Sequence, residues 1–301
     1  LDIFMQTDVV RLDERRQFRK KAADMADRYL RLVQPLRDRN YNRFQDLLGE
    51  ESPRLSASQV SELRALIDRE QRKLQISPDR RRKIQQAVER YVKGAKSLDL
   101  GEEVQLVMTR VLLHRYAVRT SGQTGNLFAD DPEPRQPLKV KSTIADAARL
   151  ILNQLFNRPF HFGLDDLCDA SNENAEVFLQ LAGALVERME TKAIRNQDPA
   201  LTPAQQQGAL RDKSGQMIDS WGFPFARKVR ALIERIVADC REVSAEPNAP
   251  LGAGANAVAV LETEMKDLLA SDSELALILK FAIAYGAIVA IRDYGQGGKI
   301  W

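Results

Sequence analysis

Residues 56–92 read SASQVSELRALIDREQRKLQISPDRRRKIQQAVERYV, and their pattern is that of two consecutive helices. Ser56 and Gln59 stand at capping-box spacing, where each side chain satisfies a backbone donor of the other at a helix start. Val60, Leu63, Ile67 and Leu74 then recur on one side. Ser77-Pro78 opens the second helix, with serine as cap and proline in the first turn, where its missing N–H is no loss. Ile84, Val88 and Val92 point inward from it. The apolar spacing is three to four residues, never two, so these are helices and not strands.

The same period extends outward. Val10, Phe18, Ala22, Met25, Tyr29, Leu32 and Val33 predict a helix over 9–36, ended by Pro35 and the Asp38-Arg-Asn40 run. A further helix is expected over 102–119. Four helices with short turns predict a basic helical bundle or insertion over residues 1–120. Ser121-Gly-Gln-Thr-Gly125 and the prolines between Asp130 and Pro137 cannot hold a helix, which makes 121–141 a linker. Helices are then expected over 143–156, 164–168 and 172–189, after Thr202-Pro-Ala-Gln205, and over 225–240. These make up a second helical domain, 142–245. Beyond the Pro247–Gly254 loop, two short helices (265–269 and 274–285) precede a strand-like run, Ala287–Ile291. The turn 293–298 and Lys299-Ile-Trp301 complete a β-hairpin, giving a winged-helix-like module over 246–301. The expected fold is mainly α. Because the chain begins at Leu1 and stops within that hairpin, it reads as part of a longer protein.

The composition, 44% apolar and 29% charged, is that of a globular chain. Cys168 and Cys240 are its two cysteines, each in an apolar helical pattern, so no disulfide framework is expected and a reducing, cytoplasmic setting fits. Leu275–Ile291, interrupted by Lys280 and Gly286, is too short and broken for a membrane span, and no membrane partner is expected. Charge is uneven. Residues 1–120 carry 26 Lys and Arg against 18 Asp and Glu, leaving 19 against 24 for the rest. Nucleic acid is a natural partner for such a basic half, although alternating signs also describe a solvated helix face.

Catalytic constellations are scarce. His114 and His161 are nearly 50 residues apart without neighbouring cysteines, so neither zinc nor a histidine base is indicated. His114 is expected at the border of a helix face. Gly295-Gln-Gly-Gly-Lys299 is no phosphate loop: Asp293 replaces the first glycine, Ile300 the Ser/Thr, and the context is a hairpin. Asp165-Asp166, Glu102-Glu103 and Asp130-Asp131 are adjacent pairs that a helix would splay by about 100°. The positive candidates are cationic. Arg80, Arg81, Arg82 and Lys83 occupy a first helical turn, where cations oppose the helix dipole and external phosphates or an acidic partner would compensate. Arg292 and Lys299 flank the hairpin turn, where a winged helix meets a DNA backbone.

Gly163-Leu-Asp-Asp-Leu-Cys-Asp-Ala-Ser171, followed by Glu173-Asn-Ala-Glu-Val-Phe-Leu-Gln-Leu-Ala-Gly183, resembles the helical lid of bacterial origin-recognition-type (ORC/CDC-like) AAA+ ATPases. The Thr202-Pro-Ala-Gln helix, the helix from Phe225 to Val243, and the Glu246–Pro250 loop leading to Ala257–Val260 are similar to that group too. The resemblance covers residues 142–301. It implies a lid over a nucleotide, with ATP and Mg held by a P-loop domain outside this chain, then a winged helix. It further implies coupling of ATP state to nucleic-acid or protein-partner binding, with self-association and defence against phage among the implied roles. At the lid turn that senses nucleotide in the family, Asn174 is kept. Glu173 stands for the family's glycine and Glu176 for its arginine, and a carboxylate there would repel phosphate. The alternative expectation is a non-enzymatic helical scaffold or adaptor in a larger complex.

Overall fold

The computed structural model describes residues 12–51, 54–95, 99–121, 140–171, 174–246, 248–249, 258 and 260–288. The described chain is mainly helical. It forms two compact units, one of residues 1–50, 161–239 and 257–301, the other of residues 51–160 and 240–256.

The second unit holds α3 (Ala57–Lys73), α4 (Pro78–Gly94), α5 (Glu102–Ser121) and α6 (Ser142–Phe156). The capping box forms as its spacing requires: Gln59 N donates to Ser56 Oγ at 3.3 Å, and Ser56 N to Gln59 Oε1 at 3.0 Å. Arg80 N donates to Ser77 Oγ at 3.3 Å below the first-turn proline. Helix α5 buries Val104, Val107, Met108, Val111, Leu112 and Leu113, which lie on more than one face. A helix apolar on several sides must be covered on several sides. Leu63 and Ile67 of α3, Ile84 and Val88 of α4, and Ile144, Ala148, Ile151 and Leu152 of α6 share one core with it.

The first unit contains α1 (Leu12–Leu32), α2 (Gln34–Arg37), α7 (Gly163–Ala170), α8 (Ala175–Ile194), α9 (Pro203–Asp219), α10 (Ala226–Ala245) through residue 239, α11 (Glu262–Ala270) and α12 (Glu274–Ala284). Ala22, Ala26 and Leu30 form the buried stripe of α1, which packs on α7 and α8. Phe178 of α8 is fully buried and meets Phe18 edge-on, with ring centroids 6.2 Å apart. Pro35 does not terminate the first helix as expected. The chain breaks at Val33, and Pro35 sits in the first turn of α2, where proline is well tolerated. A parallel β-bridge joins Leu48 to Leu201, with Gly49 N donating to Leu201 O at 2.9 Å. A Cβ on Gly49 would lie 2.8 Å from that oxygen, so the approach requires glycine.

The two units cut across the linear division read from the sequence. Helices α1 and α2 share a core with α7–α9 rather than with α3–α5, and α6 joins α3–α5. No strand occurs among the described residues, and the hairpin and winged helix expected at the C-terminus are not supported. Ala287 and Ile288, placed in a strand by their apolar run, form a bend after α12. The remainder of that hairpin, 289–301, lies outside the described residues, as does the linker 122–139.

Candidate functional site

The start of α8, where the resemblance places a nucleotide-sensing turn, is built by capping. Asn174 Oδ1 accepts from the backbone N–H groups of Glu176 and Val177, at 2.9 and 3.2 Å, and so starts α8. Its oxygen is thereby committed to the backbone. Glu176 is exposed in the first turn, where a carboxylate favours the helix dipole, and Gln180 Nε2 donates to it at 3.4 Å. Among its described residues, Ser171 and Asn174–Val177, the turn carries no cationic side chain.

The basic run at the start of α4 differs from expectation. Its charges are compensated inside the unit. The Arg80 guanidinium lies 4.7 Å from the centre of the Tyr116 ring, a cation–π distance. Arg81 pairs with Asp68 and donates to Gln71 Oε1 at 2.6 Å. Arg82 reaches Asp79 of its own helix at 3.4 Å, and Lys83 is also engaged. Asp68 and Tyr116, distant in sequence but close in the bundle, and Asp79 of the same turn therefore do what external phosphates were expected to do. Arg292 and Lys299 lie outside the described residues.

Two ionic clusters that the sequence pattern did not disclose occupy the interior of the second unit. Arg158 places Nη1 3.1 Å from Asp99 Oδ2, pairs through Nη2 with the other oxygen, and lies 3.5 Å from Glu103 through Nε. Arg110 forms a bidentate pair with Glu70, both bonds 2.8 Å, and His114 Nε2 stands 3.1 Å from the same carboxylate. His114 is thus half-buried against a charge, not simply at the border of a face. Burial pushes the Glu70 carboxyl up, but hydrogen bonds from His114 and Arg110, and their charges, outweigh it and bring its pKa down to about 2. A shallow cleft of about 560 Å³ opens beside His114 and is lined also by Lys73, Gln75 and Val118. The available signal was the period of α5: Glu103, Arg110 and His114 interrupt its apolar run on faces that must be covered.

In the first unit the reactive side chains are muted. Cys168 is buried, as its apolar setting predicted, and burial raises its thiol pKa to about 12, so it is no thiolate nucleophile. Burial lowers the pKa of His161, with Asp166 opposing and Arg211 reinforcing the shift. Asp165 and Asp166 are separated in role, since Arg19 pairs with Asp165 and Asp169 while Asp166 accepts from Phe162 N–H at 3.2 Å. Among the described residues no group of His, Cys, Asp and Glu is arranged to hold a metal ion, and no helix is long and apolar enough to cross a membrane. Comparison with family models, with curated proteins and with solved structures finds no match to this chain.

Proposed function

We propose that this chain is the helical lid and C-terminal portion of an AAA+-type ATPase, a switch that couples nucleotide state to nucleic-acid or partner binding. The observation that carries the reading is the sequence of elements in the first unit. A short helix, α7, leads through an Asn174-capped turn into the Phe- and Leu-rich α8, and a capping-box helix, α9, follows. ATP and Mg belong, in this reading, to a P-loop domain outside these residues. Because Asn174 is committed to the backbone and Glu176 is anionic, coupling runs through the packing of α7 and α8 and not through a phosphate contact at their turn. The test is nucleotide and DNA binding by the full-length protein at low salt, with and without ATP. If neither ligand binds, the reading fails. A winged helix at the C-terminus belongs to the same proposal, and Arg292→Glu with Lys299→Glu should then weaken DNA binding.

A helical scaffold or adaptor is the second reading. The compensation of Arg80 by Tyr116 and of Arg81 by Asp68 favours it, because it lowers the demand of that cluster for an external polyanion. ATP-independent assembly into a larger complex, with no nucleotide bound, would support it over the first.

A further inference from the structure

A row of exposed cations without carboxylate partners lies along α1. Arg16, Lys20, Lys21, Arg28 and Arg31 are all exposed, and none makes an ion pair or hydrogen bond with a described side chain. At 100° per residue they fall within an arc of about 140°, opposite the buried stripe of Ala22, Ala26 and Leu30, and they span roughly 22 Å of helix. Two described carboxylates, Asp24 and Asp27, share that arc, and Asp27 accepts from Phe44 N–H at 2.7 Å. Arg19 of the same helix points inward and is clamped by Asp165 and Asp169, so a cation of α1 that needs a protein partner has one. Like charges at Arg16 and Lys20, and at Arg28 and Arg31, stand at helix-neighbour spacings that disfavour the helix. Asp24, four positions from Lys20 and from Arg28, and Asp27, four from Arg31, offset part of that repulsion, and the face keeps a net positive charge.

We infer that the outer face of α1 docks the phosphate backbone of duplex nucleic acid; this rests on the nucleic-acid half of the function proposed above. A duplex presents one charge per roughly 1.7 Å of axis, so a 22 Å row of long, flexible cations meets a matching row of phosphates. An anionic membrane fits less well, because the apolar stripe of the helix is buried and cannot enter a bilayer. An acidic protein fits less well too, since specific protein interfaces centre on aromatic and aliphatic anchors and are depleted of lysine. Binding through this face is independent of base sequence and depends steeply on salt.

The test uses the full chain and a labelled mixed-sequence DNA duplex, with anisotropy followed as salt is raised. The triple variant Arg16→Glu, Lys20→Glu, Lys21→Glu should weaken binding about tenfold or more at low salt and flatten the log–log salt slope by about two to three, near 0.9 for each lost phosphate contact. The Gln variants at the same positions keep helix propensity and should flatten the slope similarly, which settles the matter if the Glu variant misfolds. Arg82→Gln should change neither quantity. Duplex binding by the wild type with affinity and slope unaltered in both triple variants overturns the inference and leaves the functional reading standing. Anionic vesicles bound as tightly as duplex overturn it as well. No duplex binding by the wild type at low salt overturns the inference, and the functional reading falls with it if ATP does not bind either.

Discussion

The two units differ in what they bury besides hydrocarbon. Among the described residues, the buried charged side chains (Asp99, Glu103, Arg110 and Arg158) all belong to the second unit. The buried polar side chains of the first are neutral: Ser171, Gln206 and Gln207. Gln206 shows how the neutral solution works. Its Nε2 donates to Gly49 O and Leu201 O at 2.9 and 2.8 Å, and its Oε1 accepts from Gly163 N at 2.8 Å, so one amide ties three separated segments. An amide can be fully satisfied by backbone at modest desolvation cost. A buried ion pair needs its exact counter-charge, and losing either member leaves a charge in a poor solvent. The comparison teaches that the second unit is the more fragile to single polar substitutions and the more responsive to its ionic state.

The largest expected effect follows from that asymmetry. Arg158→Leu should destabilise the second unit by about 3–5 kcal/mol, because Asp99 and Glu103 are left buried without their cation. Urea denaturation measures it. The triple variant Arg158→Leu, Asp99→Leu, Glu103→Leu should recover most of the loss; a triple variant no more stable than the single one would show that the pair gives more than it costs. Next, Gln206→Leu should cost about 1–3 kcal/mol through the stranded backbone groups of the first unit. A loss as large as that of Arg158→Leu would erase the contrast between the units.

Acid separates them further. The pKa of His161 is lowered by folding, so its stabilising contribution is present above the ordinary value of 6.5 and is lost as pH falls below it, when the unfolded chain takes up the proton first. Glu70 is depressed from 4.5 to about 2, so its contribution is present above 4.5 and is lost as pH falls towards 2. Acid titration of stability should therefore lose its earlier phase in His161→Gln and its later phase in Glu70→Gln. Identical profiles for both variants would refute the assignment. The smallest effects concern the caps. Ser56→Ala in one unit and Thr202→Ala in the other should each cost about 1 kcal/mol, since both remove one acceptor from a capping box of the same geometry. Thermal melts that rank the two far apart would show that context overrides the local motif.

Much of the helix inventory was legible because its signals are local. The starts at Ser56 and Thr202, read from residues three apart, and at Ser77, read from the adjacent proline, were found as read. The burial of Cys168 was legible for the same reason, from the apolar neighbours in its own turn. The cationic site was not. Arg80–Lys83 looked uncompensated because Asp68 and Tyr116 lie 13 and 36 positions away from the side chains they engage, and no local pattern announces such a meeting. The α1 cations looked ordinary because their exposure, and the burial of Ala22, Ala26 and Leu30 opposite them, depend on which helices cover α1.

The sequence by itself determined that the chain is helical, where most helices begin, and which stripe of each is apolar, since capping and amphipathic period act over one or two turns. Tertiary structure alone decided which helices share a core. It brought Arg19 to Asp169 across 150 residues and Arg158 to Asp99 across 59. It also fixed which cations are neutralised inside and which face outward. Those outcomes depend on long-range packing and on the strength of charge pairing in a low dielectric, neither of which has a period that a linear sequence can display.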